Sequence, residues 1–221
     1  AENEPVVLSE DGIVASGTCG ENLTWELDSE GTLTISGTGD MCDFEYNQSN
    51  HVVSSPWFDI CDQIITLKIA NGITSIGAYA FYNCNSLSSI TLSENLISIG
   101  SDAFASCINL VEVQLPDSVT TIGYEAFHGC SSLSKFVIPA NTTNFSQSTL
   151  SRCNKLITAG PLGSGSNIEF GWINSIPDYA FDGCISLIEI EFPEKLKEIG
   201  EGAFLECGSS EISLPDSVES I

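Results

Sequence analysis

The chain has 221 residues, of which 30 are acidic and six basic, giving a formal net charge of −24. Nucleic acid and anionic membrane are therefore excluded as partners, because neutralising phosphate takes Lys and Arg. An apolar fraction of 42% is enough for a packed core, and no apolar run reaches membrane-spanning length, so membrane insertion is not expected.

The first residues, AENEPVVLSEDG, have neither a basic start nor an apolar stretch, so no signal peptide is visible; a secreted form would already have lost it. Residues 23–28 and 32–36 alternate around Ser29, Glu30 and Gly31, which predicts a β-hairpin. Nothing in 1–55 repeats, and an open-ended array needs its end covered, so this segment is expected to be an N-terminal cap. Pairing of Cys19 with Cys42 is left open by the sequence.

From about residue 56 the chain repeats every 23 residues. IGAYAFYNCNSLSSITLSENLIS begins at Ile76, and IGSDAFASCINLVEVQLPDSVTT and IGYEAFHGCSSLSKFVIPANTTN follow at Ile99 and Ile122. IPDYAFDGCISLIEIEFPEKLKE at Ile176 and IGEGAFLECGSSEISLPDSVES at Ile199 resume the ladder after a degenerate copy. A fixed short period predicts a solenoid of about six to seven coils over 56–221, each burying its apolar face against its neighbours.

Within the coil at Ile99, the spacing of Leu110, Val113 and Leu115 predicts a short strand that sends alternate residues inward. Equivalent strands are expected around 67–69, 90–92, 136–138 and 190–192, all in one parallel sheet on the concave side. Pro116, Pro139, Pro193 and Pro215 end them, lacking an N–H to donate. Ala103, Phe104 and Cys107 have the spacing of a helical or 3₁₀ turn, so short helical turns are expected around Phe81, Phe104, Phe127, Phe181 and Phe204 on the convex side. Gly77, Gly100, Gly123 and Gly200 open these turns, yet Pro177 takes the same place. A positive φ is thus not required there, and tight packing explains the glycines better.

Seven cysteines fall on the repeat: Cys61, Cys84, Cys107, Cys130, Cys153, Cys184 and Cys207. Equivalent side chains point the same way, which suits buried thiols and gives poor disulfide geometry between rungs, so all seven are expected to be reduced. The copy from Phe145 carries an insertion within 160–175, rich in Gly and Ser, where Phe170 and Trp172 are candidate anchors. It reads first as a structural bulge and second as part of a binding face. No Gly-Lys-Ser/Thr follows its glycines, so it is not a phosphate loop. No polar cap follows the last coil, which predicts a truncated chain with an exposed edge around 212–214, prone to end-to-end association.

The pattern I-G-x-x-A-F-x-x-C-x-x-L-x-x-I-x-L-P-x-x-V-x-x-I resembles the BspA-type leucine-rich repeats of bacterial and parasite surface proteins. The stretch SGTCGENLTWELDSEGTLTISGTGDM and the later SPWF are similar to the start of such proteins. The fold class is accordingly an α/β solenoid: a leucine-rich-repeat right-handed superhelix with a concave parallel sheet, convex helical turns and an N-terminal β-hairpin cap. The resemblance implies a non-enzymatic, secreted or cell-surface module that binds or adheres to a host or cell-surface protein, without a cofactor or metal.

The outward strand positions are the candidate ligand-binding residues: Thr66, Lys68, Ser89, Thr91, Glu112, Gln114, Lys135, Val137, Glu189 and Glu191, with Trp172 from the insertion. A spacer displaying other domains of a longer surface protein is the second reading. An enzyme is the third, and the sequence offers it little. There are only two histidines, and His128 stands at a variable convex position expected to be solvated. Glu189 and Glu191 are i, i+2 on one strand face, a spacing compatible with the paired carboxylates of a carbohydrate-active enzyme.

Overall fold

The computed structural model describes residues 12–139, 141–159, 174–190, 192, 196–208 and 213–221. Its first elements are β1 (Ile13–Gly20), β2 (Leu23–Asp28) and β3 (Thr32–Gly37), an antiparallel meander in which Leu23 pairs with Gly37 and Leu27 with Leu33. Alternation buries Leu23, Trp25 and Leu27 on one face. The turn between β2 and β3 is local chemistry. The Asp28 carboxylate accepts the amides of Glu30 and Thr32 at 3.0 and 2.8 Å, and Gly31 supplies a φ of +83°. On its far edge β3 pairs in parallel with Thr66–Ile69, Leu33 against Leu67 and Ile35 against Ile69, so the meander runs directly into the repeats.

Two rows of short parallel strands follow. The first comprises Thr66–Ile69, Ser89–Thr91, Glu112–Val113, Lys135–Phe136, Thr158–Ala159 and Glu189–Ile190. These start one residue before the expected positions, and the later ones are only two residues long. Leu115 and Ile138 still pack against the core but donate to no ladder, since the proline that follows each ends the pairing. The expected single sheet is corrected. Thr66–Ile69 and Ser89–Thr91 belong to one ladder, and Glu112–Val113 onward to another. A strand this short carries one or two rungs, so a local shift removes the ladder without parting the coils. The Asn109 amide, donating to the Asn85 carbonyl at 2.8 Å, bridges that junction.

The second row had no counterpart in the sequence reading. Gly39–Asp40, Ile73–Ile76, Ser98–Ile99, Thr121–Ile122 and Asn144–Phe145 form one continuous five-stranded sheet, and Ser175–Ile176 pairs separately with Glu198–Ile199. Its inward side chains are Ile76, Ile99, Ile122, Ile176 and Ile199, all buried. The chain from 160 to 173 falls between a first-row strand, Thr158–Ala159, and a second-row strand, Ser175–Ile176. The first row passes across it without a break, Thr158 pairing with Glu189.

The expected helical turns are corrected as well. Among the described residues there is no α-helix, and the only 3₁₀ segment is Phe58–Gln63. The amides of the turn alternate in where they bond. Tyr79, Phe81 and Asn83 donate to Ser101, Ala103 and Ala105 of the next coil at 2.7–2.9 Å, while Ala80, Tyr82 and Cys84 donate three residues back within their own coil. The next interface repeats this, with Asp102, Phe104 and Ser106 donating to Tyr124, Ala126 and His128. A helix would use every amide within its own coil; here every second one ties a coil to its neighbour. Such alternation needs left-handed residues four apart: Tyr79 and Asn83 have φ of 55° and 61°, Asp102 and Ser106 of 53° and 62°.

Between these surfaces lies one core. Trp57, Phe81, Phe104 and Phe127 stack with centroids 5.2–5.3 Å apart and planes within 15°. The indole N–H of Trp57 donates to the Ala80 carbonyl at 2.6 Å. Leu150 replaces Phe in the degenerate copy, and stacking resumes at Phe181 and Phe204. The cysteine expectation holds in part and is corrected in part. Cys107, Cys130, Cys153 and Cys184 are buried free thiols and Cys207 a half-buried one, but Cys61 and Cys84 are joined by a disulfide. Their Cα atoms are 5.1 Å apart, within the range a disulfide spans, so parallel rungs do not prevent bonding. Higher up, each thiol donates to a carbonyl of the preceding coil: Cys107 to Phe81, Cys130 to Phe104 and Cys153 to Phe127, at 3.1–3.3 Å. Burial pushes the Cys130 thiol up to about 12. Cys19 and Cys42 are free, although the Cys42 amide donates to the Cys19 carbonyl at 2.9 Å.

Candidate interaction surface

The first strand row carries the sequence-predicted residues because its alternation is fixed by the core. Leu67, Ile69, Val113 and Phe136 are buried, so their neighbours must face outward. Pairing then aligns the outward residues across coils. Thr66 faces Ser89, Lys68 faces Thr91 and Glu112 faces Lys135, and the backbone ladder continues from Lys135 to Thr158 and from Thr158 to Glu189. Lys68, Ser89, Thr91, Glu112, Gln114 and Lys135 are exposed; Thr66 and Val137 are half-buried. Glu191 and Trp172 lie outside the described residues, as does Ile212 of the edge expected around 212–214, while 213 and 214 are described and lie in no strand.

The row is polar, with its charges of both signs unpaired. Glu112 and Lys135 are cross-strand partners, yet the only ion pair among the described residues is Lys197–Glu219, elsewhere on the surface. The Gln114 amide donates to the Glu112 carboxylate at 3.4 Å, steadying it without neutralising it. This leaves the row free to satisfy its charges on a partner.

Beside the row is a feature the sequence reading passed over. The residue before each strand is Ile65, Val111, Ile157 or Ile188 in four coils, 47%, 50%, 46% and 68% exposed, and Ser88 or Ser134 in two others. The signal was present as an apolar residue recurring at a position that serine also fills, which a core position does not allow. Ile157 and Ile188 are in adjacent coils, the amide of Ile188 donating to the Ile157 carbonyl at 3.1 Å. Polar strand positions are thus flanked by aliphatic ones, a mixture typical of protein-binding surfaces.

The two histidines weighed for chemistry lie apart from the row. His128 is half-buried rather than solvated as expected, and its Nδ1 has no partner. Burial lowers its pKa, against Glu125 and Asp182, which raise it, and with Arg152, which lowers it further. His51 Nδ1 pairs with the Tyr46 hydroxyl at 2.6 Å. Among the described residues no group of three His, Cys, Asp or Glu is placed to hold a metal ion. Nor is any described helix long and apolar enough to cross a membrane.

Comparison with known proteins agrees with this geometry. The family described as BspA type leucine-rich repeat region matches in six copies over residues 40–160 and 164–221. No curated protein matches the sequence. Among solved structures, a leucine-rich repeat protein of T. pallidum is 25% identical, with a TM-score of 0.63 covering 90% of this chain and 91% of that one. A leucine-rich repeat protein from Eubacterium ventriosum shares the fold at 23% identity and a TM-score of 0.56, over 93% of this chain and 68% of that one. Another, from Bacteroides ovatus, is 24% identical with a TM-score of 0.53, over 90% and 59%.

Proposed function

Because the chain belongs to the BspA-type leucine-rich-repeat family, we propose that it is a non-enzymatic, secreted or cell-surface module that binds a protein partner along its first strand row. The observation that carries this reading is the row itself: Lys68, Thr91, Glu112, Gln114 and Lys135 are exposed and aligned by strand pairing, with their charges unpaired. The array curves as a right-handed solenoid with this row on its concave side, and residues 1–55 close its first end. The Cys61–Cys84 disulfide supports a location outside the reducing cytoplasm. The excess of 30 acids over six bases in the chain favours a basic partner, associating faster at low salt.

Site-specific photo-crosslinking tests the reading. Crosslinkers placed at Thr91, Gln114 and Lys135 should capture one partner from intact target cells, and Glu112→Ala/Glu189→Ala/Glu191→Ala should reduce its recovery. Deleting 162–172 should reduce it too if the insertion borders the site. Equal recovery by all these folded proteins, or capture only from crosslinkers on the turn side, would overturn the assignment to this row.

A further inference from the structure

Two of the nine cysteines, Cys19 and Cys42, lie in the cap rather than on the repeat, and the fold brings them together. The pairing of β1 with β2 skips Cys19, since Thr18 pairs with Thr24 and Gly20 with Leu23. The extra residue of such a bulge is left unpaired, and the Cys19 carbonyl instead accepts the Cys42 amide at 2.9 Å. That one bond limits how far apart the residues can be. A carbonyl oxygen lies about 2.4 Å from its own Cα and an amide nitrogen about 1.5 Å from its own. The two Cα atoms are therefore at most about 6.8 Å apart, inside the span of a disulfide. The close approach continues next door, where a Cβ on Gly20 would stand 2.7 Å from the Asp40 carbonyl oxygen.

Residues 39–44 are fastened to the repeats far more firmly than to β1. Gly39–Asp40 pairs with Ile73–Ile76, the Met41 amide donates to Ser75 Oγ at 3.1 Å, and the Phe44 amide to the Ala78 carbonyl at 2.9 Å. The Asp43 carboxylate accepts the Ala78 amide at 2.7 Å, and a Cβ on Gly77 would collide with the Cys42 carbonyl. Toward β1, the outer strand of its sheet among the described residues, the bond from Cys42 to Cys19 stands alone. The two thiols differ in access. Cys19 is 3% exposed, whereas Cys42 is open to solvent. Burial first, and then the neighbouring Cys42, push the Cys19 thiol up to about 12. The thiolate is the reactive form, so Cys42 is the sulfur that meets an outside oxidant first and Cys19 the one that follows.

We propose that Cys19 and Cys42 form a disulfide site, a covalent clamp between the outer strand of the cap and the segment seated on the repeat at Ile76, closed by a small-molecule disulfide such as oxidised glutathione. Cys42 Sγ displaces one thiol from that disulfide and forms a mixed disulfide; Cys19 Sγ then attacks the Cys42 sulfur and displaces the second thiol. Two S–H bonds of the chain become one S–S bond, the S–S bond of the oxidant becomes two S–H bonds, and both protons leave with the departing thiols. Attack within the chain is favoured because the backbone already holds the residues within reach, whereas a second copy must diffuse to Cys42. Cys61–Cys84 is already bonded at the same sequence separation of 23, so surroundings that close one ring supply the chemistry for the other. The clamp acts at the capped end of the array, whatever the strand row binds.

The full chain, with Cys61–Cys84 intact, is incubated with oxidised glutathione under native conditions, and released glutathione is counted alongside peptide mapping by mass spectrometry. The native chain should release two equivalents and show the Cys19–Cys42 bond. Cys19→Ala should stop at one, with glutathione left on Cys42, and Cys42→Ser should release none. In the clamped form, hydrogen exchange across β1 should slow about tenfold or more, while exchange across 112–136 changes little. A native chain that fails to react, stops at one equivalent, or forms disulfide-linked dimers through Cys42 overturns the site. Release from Cys42→Ser equal to that of the native chain places the reaction at other cysteines and overturns it too. A bond that forms without slowing exchange in β1 overturns the clamp.

Discussion

Asp102→Asn should stabilise the protein at neutral pH and lose that advantage in mild acid. The carboxyl is raised from 3.8 to about 6, first by burial and then by Glu125, with Tyr79 acting the other way. A folded pKa above the unfolded one means the native state binds the proton more tightly. The penalty is therefore fully present above about pH 6 and fades as pH falls toward the unfolded value near 4. At about 1.36 kcal/mol per unit the ceiling is about 3 kcal/mol, and partial screening by water at the turn surface reduces it to roughly 1–2 kcal/mol. Asparagine keeps the shape, can still accept from Tyr79, and tolerates a φ of 53° better than most residues. Urea denaturation of both proteins at pH 7.5 and pH 4.5 separates the charge effect from the backbone effect. The midpoint difference should be large at the higher pH and near zero at the lower. An Asn variant that is no more stable at pH 7.5, or whose advantage is the same at both values, would refute the buried-charge argument.

Gly123→Ala should destabilise by several kcal/mol in thermal melts, since a Cβ there would lie 2.6 Å from the Ser101 amide nitrogen of the neighbouring coil. Ser106→Gly should raise stability by about 1 kcal/mol by relieving a φ of 62°, whereas Asn83→Gly, at 61°, should gain less because asparagine accepts that conformation. Phe104→Ala removes the centre of the ring stack and should cost about 3–5 kcal/mol in denaturant titration, with Phe104→Leu well below that. Cys61→Ser/Cys84→Ser should cost about 3 kcal/mol by releasing a loop of 23 residues, and a reductant should produce the same loss in the native chain but none in the variant. Native-state alkylation should modify Cys42 first, because Cys107, Cys130, Cys153 and Cys184 are buried.

The period made the inward positions legible. Leu110, Val113, Phe104 and Cys107 recur because each coil must bury the same face, and all are buried. Two things were not legible. The turn pattern A-F-x-x-C has helical spacing, but spacing says where side chains point and not where amides bond, and here every second amide bonds to the next coil. Nor did the spacing of Ile99 and Ile122 distinguish a turning chain from a strand, because two-residue strands carry no alternation to read. The cysteines misled for a related reason. Equal spacing implied equal chemistry, yet the first two rungs are bonded to each other while the later ones donate to carbonyls. Alternation placed Thr91, Glu112 and Lys135 on the outward side of their strands, where they are exposed, while the contact of Tyr46 with His51 was hidden because both lie in the segment that does not repeat.

The bonding of the turns has a consequence for how such a chain can diversify. Two strand rows and the alternating turn amides tie each coil to the next through backbone groups, and the inward side chains fill the space between. None of these ties depends on an outward side chain. The position held by Tyr79 is Asp102, Glu125, Ser148 and Tyr179 in other coils, all left-handed, and the turn ladder is the same at each. Asp102 marks the limit of that freedom: it keeps the ladder yet carries a desolvated charge that asparagine would avoid.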